Sequence, residues 1–379
     1  MEEQTTERIT RIDTTTSRKP WAKQAVDLLL EGGLVAFPTE TVYGLAACPA
    51  VPGAIERLDQ IKGRPSDKPY TVHIAYPHQL NHYVDDPPWL ARILAKKGWP
   101  GPITLIIEVG PMQREAARER FGKNSYNLFS DNTIGLRCPD HPVATMLLSN
   151  CPETVVAPSA NPSGQPPAFD ADQVHNYFAG NKIDLILDAG PTRYRSSSTV
   201  VYVNDKGLKV LRAGPVDAAS IDRLAKFNIL FVCTGNTCRS PMAEALCKKM
   251  LADRLTGGGV PELANLKIGV SSAGTFAAPG QSACAEAIEA MKRFSIDQTD
   301  HRTQAVTVDR INQADMILVM TSDHKDFISN LVPEATNRIQ LIDREGNVSD
   351  PLGQPVESYV RCAQRLARGM GERLKELLE

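Results

Sequence analysis

An apolar run, Ile229-Leu230-Phe231-Val232, passes straight into Cys233-Thr234-Gly235-Asn236-Thr237-Cys238-Arg239-Ser240 and then into Pro241-Met242-Ala243-Glu244-Ala245-Leu246. That order reads strand, tight loop, helix. In such a loop the backbone N–H groups and the helix N-terminus face inward, where they bind an anion and favour a cysteine thiolate. Arg239 offers a planar fork to two phosphate oxygens. Ser240 can cap the helix and Pro241 suits its first turn. The loop predicts a thiolate that attacks phosphorus. A buried structural cysteine at a strand end is the plain alternative, and Gly235, Arg239 and the strand–helix context speak against it.

The chain has 379 residues, enough for two or three domains. Residues 1–226 hold 25 basic and 25 acidic side chains, and residues 227–379 hold 17 and 19, so neither part has the net basic charge of a typical nucleic-acid binder. No apolar run reaches the roughly 20 residues of a membrane span. Residues 1–19 are polar, without a signal-peptide core, and read as a frayed tail, with a Thr and Arg content faintly like a transit peptide. The eight cysteines are scattered, without paired CxxC motifs, which predicts a reducing cytoplasm and argues against a disulfide framework or structural zinc.

Two patterns divide the chain. Up to about residue 215, strand-like runs (Gly33–Phe37, Tyr70–Ile74, Thr104–Ile107, Thr133–Arg137, Val155–Ala157, Leu185–Leu187, Ser198–Val203) alternate with helical ones (Ala22–Glu31, Ala54–Lys62, Pro88–Lys97). This predicts a 20–215 α/β domain with a twisted, mixed sheet. Val216–Lys226 reads as a short helix within a 216–227 linker. From Asn228 onward, strands at Ile229–Val232, Ile268–Ser272, Met316–Met320 and Arg338–Leu341 alternate with helices at Pro241–Leu255, Cys284–Phe294 and Ser358–Leu378. That predicts a doubly wound parallel sheet over 228–379, with the Cys233 loop at a strand's carboxyl end, where such folds bind ligands.

Asp350-Pro351 precedes the last helix. Alone it is a turn signal. Facing a phosphate site, its carboxylic acid can deliver the proton that a leaving group needs. Residues 228–379 resemble the low-molecular-weight protein tyrosine phosphatase family through the Cys233–Ser240 loop, Ser272-Ala273-Gly274-Thr275, Asp300-His301-Arg302, Ala314–Met320 and Asp350-Pro351. The resemblance implies that Cys233 is the nucleophile and Arg239 the phosphoryl clamp. It further implies that Ser240 stabilises the thiolate, Asn236 shapes the loop, and Asp350 is general acid and then base, with no cofactor or metal. Thr237 resembles the protein-arginine phosphatase branch; a bulky aliphatic residue there accompanies phosphotyrosine. A threonine hydroxyl can hydrogen-bond a guanidino nitrogen, which favours phosphoarginine, with phosphotyrosine the alternative. Arsenate reductases share the fold but need clustered cysteines, and Cys284 and Cys362 stand isolated in the sequence. Cys238 either pairs with Cys233 under oxidation or fills space in the loop.

The first half offers Phe37–Leu45 with three hydroxyl side chains, and Lys62-Gly63-Arg64-Pro65-Ser66-Asp67-Lys68 with three cations. It also offers Ser159 and Asn161 between prolines, and His73 in an apolar strand, the usual place of a core histidine. The cations with Ser159 and Asn161 suit a triphosphate, and His73, Thr41 and Arg137 suit a small zwitterion. Neither a Walker loop nor a Rossmann glycine fingerprint is present. Residues 20–215 resemble the YrdC-like threonylcarbamoyl-AMP synthase family through Phe37–Leu45, Lys62–Pro65, Trp99–Leu105, Gly135–Pro142, Ala157–Asn161, Ser198-Thr199-Val200 and Leu211-Arg212. That implies synthesis of threonylcarbamoyl-AMP from L-threonine, bicarbonate and ATP with Mg2+, feeding a separate transferase that modifies tRNA. Thr41, His73, Arg137, Ala157 and Ser198 would line the threonine site. Lys62, Arg64, Lys68, Thr133, Ser159, Asn161, Pro167 and Arg212 would line the ATP site. Leu211-Arg212-Ala213-Gly214 replaces the family's Leu-Arg-Pro-Gly, and Tyr194–Ser197 departs from its glycine or acidic residues. A nucleotide- or RNA-binding module without synthase activity is the alternative, and direct tRNA contact is left open. Some long members carry a further C-terminal domain, whose place in the chain the phosphatase-like segment takes.

Overall fold

The computed structural model describes residues 8–12, 20–63, 69–179, 183–255 and 260–378. The chain divides into two compact units, residues 1–225 and 226–379.

The first unit carries β1 (Arg8–Arg11), β2 (Val35–Phe37), β3 (Gly44–Ala46), β4 (Val72–His73), β5 (Ile103–Glu108), β6 (Phe129–Ser130), β7 (Thr133–Arg137), β8 (Val155–Val156), β9 (Leu185–Asp188), β10 (Thr199–Asn204) and β11 (Gly207–Arg212). They form two sheets where one was expected. A four-stranded sheet runs β1-β9-β2-β3, and a seven-stranded sheet runs β11-β10-β5-β7-β4-β8, with β6 on β7. The larger sheet is mixed: β10 is parallel to β5 and β4 to β7, while β5–β7 and β4–β8 are antiparallel. Within the expected tail, Arg8–Arg11 is an edge strand parallel to β9.

Helix Pro20–Leu30 buries Trp21, Ala22, Ala25, Val26 and Leu29, spaced along one stripe, against a core that includes Phe37, Leu147 and Leu187. The segment expected as a linker contains helix Ala218–Ala225, which buries Ile221 and Ala225.

The second unit is a parallel sheet of β12 (Phe227–Cys233), β13 (Ile268–Gly274), β14 (Met316–Val319) and β15 (Ile339–Leu341), in the order β13-β12-β14-β15. β12 is apolar along most of its length because both faces are covered. Leu230 and Val232 pack with Ile311, Ile317 and Ile328 on one face. The last helix, Val356–Leu378, buries Tyr359, Ala363, Leu366, Met370 and Leu374 at three- and four-residue spacings. The strand order reverses at β12, so its carboxyl end opens onto the crevice where doubly wound sheets take ligands.

Candidate active sites

In the second unit, Cys233 ends β12 and helix Arg239–Leu255 begins six residues later. The Cys233 sulfur lies 2.9 Å from Ser240 Oγ and accepts from the Asn236 amide at 3.3 Å. Asn236 sits at φ 56°, a left-handed conformation that Asn tolerates better than most residues. Its side chain explains why it stays there. Nδ2 donates to Ser240 Oγ (3.0 Å) and Ser272 Oγ (2.8 Å), and Oδ1 accepts from the Gln304 amide (2.8 Å).

The loop carbonyls are occupied from outside. Cys233 O accepts from Thr275 N, Thr234 O from Phe276 N, Asn236 O from His301 Nε2, and Thr237 O from Cys284 N, all within 3.0 Å. With the carbonyls drawn outward, the amides turn inward, as an anion-binding nest requires. Gly274 permits the close fit: a Cβ there would meet Thr234 O at 2.5 Å and Asn236 N at 2.9 Å.

Arg239 is buried, and its guanidinium donates to Val348 O at 3.0 Å and pairs with the Asp350 carboxylate. Asp350 is 41% exposed and accepts from Leu352 N through its other oxygen. Nε of Arg239 is buried without a hydrogen-bond partner. Thr237 is half-buried, its hydroxyl 3.4 Å from the Cys238 sulfur. His324 bridges Thr234 Oγ1 (3.0 Å) and Thr321 Oγ1 (2.7 Å); burial, then the Arg239 charge, holds its pKa below the usual histidine value. Cys284, isolated in sequence, is not isolated in space: its sulfur is 3.1 Å from that of Cys238.

In the first unit, sheet register gathers dispersed residues. Val200, Thr104, Arg137 and His73 lie side by side across β10, β5, β7 and β4. They line one cavity of about 410 Å³ together with Lys62, Ala157, Ser159, Asn161, Ser198 and Arg212.

Arg137 donates to Thr41 Oγ1 at 2.5 Å and pairs with Glu40 at 3.1 Å, all three side chains buried. Sequence reasoning did not single out Glu40; its place between Thr39 and Thr41 was the available signal. Burial, followed by the Arg137 charge, lowers the His73 pKa to about 3, so its ring is neutral. Its Nδ1 donates to Thr71 O, leaving Nε2 as an acceptor.

Lys62 ends helix Ala54–Lys62 and donates to the carbonyls of Ser159 and Asn161. Asn161 Nδ2 donates to Pro162 O and Gln165 O, while its buried Oδ1 has no protein partner. Ser198 Oγ lies 2.8 Å from Thr104 Oγ1, and Arg212 donates to Ser198 O and Oγ. Burial and the nearby Arg137 charge lower the Arg212 pKa. Gly214 approaches this corner so closely that a Cβ would meet Ser197 O at 2.5 Å.

Thr41 reaches the cavity only through Arg137. Thr133, at the far end of β7 with its hydroxyl on Ser130 O, and Pro167 do not line the cavity. Arg64 and Lys68 lie outside the described residues. Among the described residues no group of three or more His, Cys, Asp or Glu could hold a metal ion, and no helix is long and apolar enough to cross a membrane.

Comparison with known proteins falls along the same division. The Sua5_yciO_yrdC family model, "Telomere recombination", matches residues 27–214, and the "Low molecular weight phosphotyrosine protein phosphatase" model matches residues 228–379. A threonylcarbamoyl-AMP synthase of Pyrococcus abyssi is 38% identical over 200 residues, 53% of this chain and 56% of that protein. The chain thus spans about half the length of this relative. A threonylcarbamoyl-AMP synthase of Cellvibrio japonicus is 32% identical over 164 residues, 43% of this chain and 82% of that protein. A protein-arginine-phosphatase of Geobacillus stearothermophilus is 37% identical over 158 residues, 40% of this chain and 97% of that protein. The chain therefore belongs to two families at once, the Sua5/YciO/YrdC family in its first unit and the low molecular weight phosphotyrosine protein phosphatase family in its second.

Proposed function

We propose that the chain is a bifunctional enzyme. Its first unit makes threonylcarbamoyl-AMP from L-threonine, bicarbonate and ATP. Its second is a cysteine-dependent protein phosphatase that prefers phosphoarginine.

The observation that carries the first reading is the convergence of Lys62, Arg137 and Arg212 with neutral His73 on one cavity. Two arginines and a lysine offset part of the charge on a carboxylate and a triphosphate, and the buried Asn161 Oδ1 offers an acceptor to the ligand. Arg137, braced by Thr41 and Glu40, holds the threonine carboxylate. Nε2 of His73 accepts from the amine. The amine attacks the bicarbonate carbon and water leaves. A carbamate oxygen then attacks the α-phosphorus, and the P–O bond to pyrophosphate breaks. Lys62 and Arg212 stabilise that leaving group, so catalysis rests on positioning and charge. Mg2+ would arrive on the nucleotide phosphates. The product would pass to a tRNA threonylcarbamoyl transferase complex, consistent with work in the cytoplasm. Pyrophosphate release that requires both ATP and L-threonine tests this reading; nucleotide binding without release would leave a binding module.

The observation that carries the second is Cys233 between Ser240 Oγ and the Asn236 amide, with Arg239 and Asp350 alongside. A phosphoryl group takes the place of Asp350 on the Arg239 fork. Cys233 attacks phosphorus, Asp350 protonates the departing nitrogen or oxygen, and water activated by Asp350 releases phosphate. Thr237, on the loop beside Cys238, supplies the hydroxyl that favours a guanidino leaving group. Phosphate release from matched phosphoarginine and phosphotyrosine peptides, with Cys233→Ser as blank, tests the preference. Faster release from phosphotyrosine would keep the cysteine chemistry and remove Thr237 as the selector.

A further inference from the structure

Cys238 and Cys284 meet beside the phosphate loop and take no part in the chemistry above. Their sulfurs are 3.1 Å apart, and the Tyr359 hydroxyl accepts from Cys238 at 4.0 Å. The backbone already joins the two segments one residue away, where Cys284 N donates to Thr237 O at 3.0 Å. Cys238 is buried, whereas Cys284 is half-buried and within reach of solvent. Cys284 also occupies the N-cap position of helix Ala285–Lys292.

The hydrogen bond from Cys238, aided by the Ala287 amide, holds the Cys284 thiol below the usual cysteine range, and the same contact with burial pushes Cys238 up. Of the two, the more exposed cysteine is the one that loses its proton more readily, and the thiolate is the form that reacts with peroxides. Cys233 is engaged elsewhere, by Ser240 and the Asn236 amide. Cys238, which the sequence offers as a partner for Cys233, has its sulfur on Cys284 instead.

The geometry points to a reversible Cys238–Cys284 disulfide, formed by hydroperoxides, that removes Cys238 as a partner for Cys233 and leaves the nucleophile free in the oxidised protein. This rests on the phosphatase reading above. The Cys284 thiolate attacks a peroxide oxygen, the O–O bond breaks, and hydroxide leaves a sulfenic acid. The Cys238 sulfur then attacks the sulfenic sulfur, the S–O bond breaks, and water departs with the Cys238 proton. Two thiols and one hydrogen peroxide give one disulfide and two waters. A thiol reductant reverses the step.

The test treats the full reduced chain with hydrogen peroxide, blocks free thiols by alkylation, and maps crosslinked peptides by mass spectrometry beside phosphatase assays. The wild type should yield a Cys238–Cys284 crosslink, an alkylated Cys233, and activity within about twofold of the reduced protein. Cys284→Ser should instead crosslink Cys233 to Cys238 and lose at least about tenfold in activity, restored by a thiol reductant. Cys284→Ala, tested alongside, should behave as Cys284→Ser if the thiol alone matters. A Cys233–Cys238 crosslink in the wild type, or equal peroxide sensitivity in all three proteins, overturns the proposal. Should the reduced wild type release no phosphate from any phosphorylated peptide, the phosphatase reading falls, while the crosslink map still decides the pairing.

Discussion

The two candidate sites assemble their polar side chains in opposite ways. The second unit concentrates the task in eight consecutive residues, Cys233 to Ser240, with one outside carboxylate, Asp350. The first unit spreads its task, on the proposed function the binding of a zwitterion as well as a triphosphate, over Lys62 at a helix end, His73 on β4, Arg137 on β7, Ser198 before β10 and Arg212 on β11. A loop with one nucleophile fails completely when that atom goes. A cavity that works by summed charge and position should fail by degrees.

The largest break in that comparison is Cys233→Ser, which should cost the phosphatase at least about 10⁴-fold in kcat while pyrophosphate release stays at the wild-type rate. Measurable turnover near wild type would mean another nucleophile operates. Asp350→Asn keeps the shape but removes the transferable proton, and kcat should fall about 10²- to 10³-fold. In kcat/KM, which reports the step that expels the leaving group, the loss should shrink with substrates whose leaving group needs no proton; a uniform loss there would remove Asp350 as the general acid.

Arg137→Met probes the distributed site. Pyrophosphate release should fall about 10²-fold, and the buried Glu40 left behind should lower the first unit's stability by about 3 kcal/mol. Adding Glu40→Gln should recover most of the stability and little of the activity. Recovery of both would show that Arg137 serves the fold only.

The smallest effect sharpens the comparison through pH. His73 has a folded pKa lowered to about 3 from an ordinary 6.5, so the unfolded chain binds more protons between those values. Stability from this group is therefore present above about 6.5 and lost as pH falls, by about 2 kcal/mol at pH 5. In urea melts at pH 7.5 and pH 5, His73→Gln should show a smaller acid loss than wild type by that amount. Equal losses would place the acid sensitivity elsewhere, on His141 for instance, whose pKa burial also lowers.

The same contrast governs how much the sequence reveals. The Cys233 loop is legible because its chemistry is contiguous and its flanking strand and helix carry their own periodicities. The resemblance picks out the segments of Ser272 and His301 but not what they do: with Gln304 they reach Asn236 from 36 to 68 positions away. Cys284 comes to Cys238 across a separation of 46. In the first unit, strand runs such as Thr133–Arg137 are readable from β-branched content. Arg8–Arg11 is not, because a polar four-residue edge strand becomes a strand only through its partner β9. Likewise, the row Thr104–Arg137–His73 exists only once register is set, and nothing local in the sequence specifies that register.

The pair between Arg239 and Asp350 gives the phosphatase loop an internal competitor. Every incoming anion must evict a carboxylate already tethered to the site, so ground-state affinity for phosphate, sulfate and other simple anions is held down together. On the proposed function the evicted group then stands next to the leaving atom as a proton donor. Inorganic phosphate has no leaving atom to protonate, so the returning carboxylate displaces it. On that reading, the same contact that weakens the binding of simple anions speeds the exit of product.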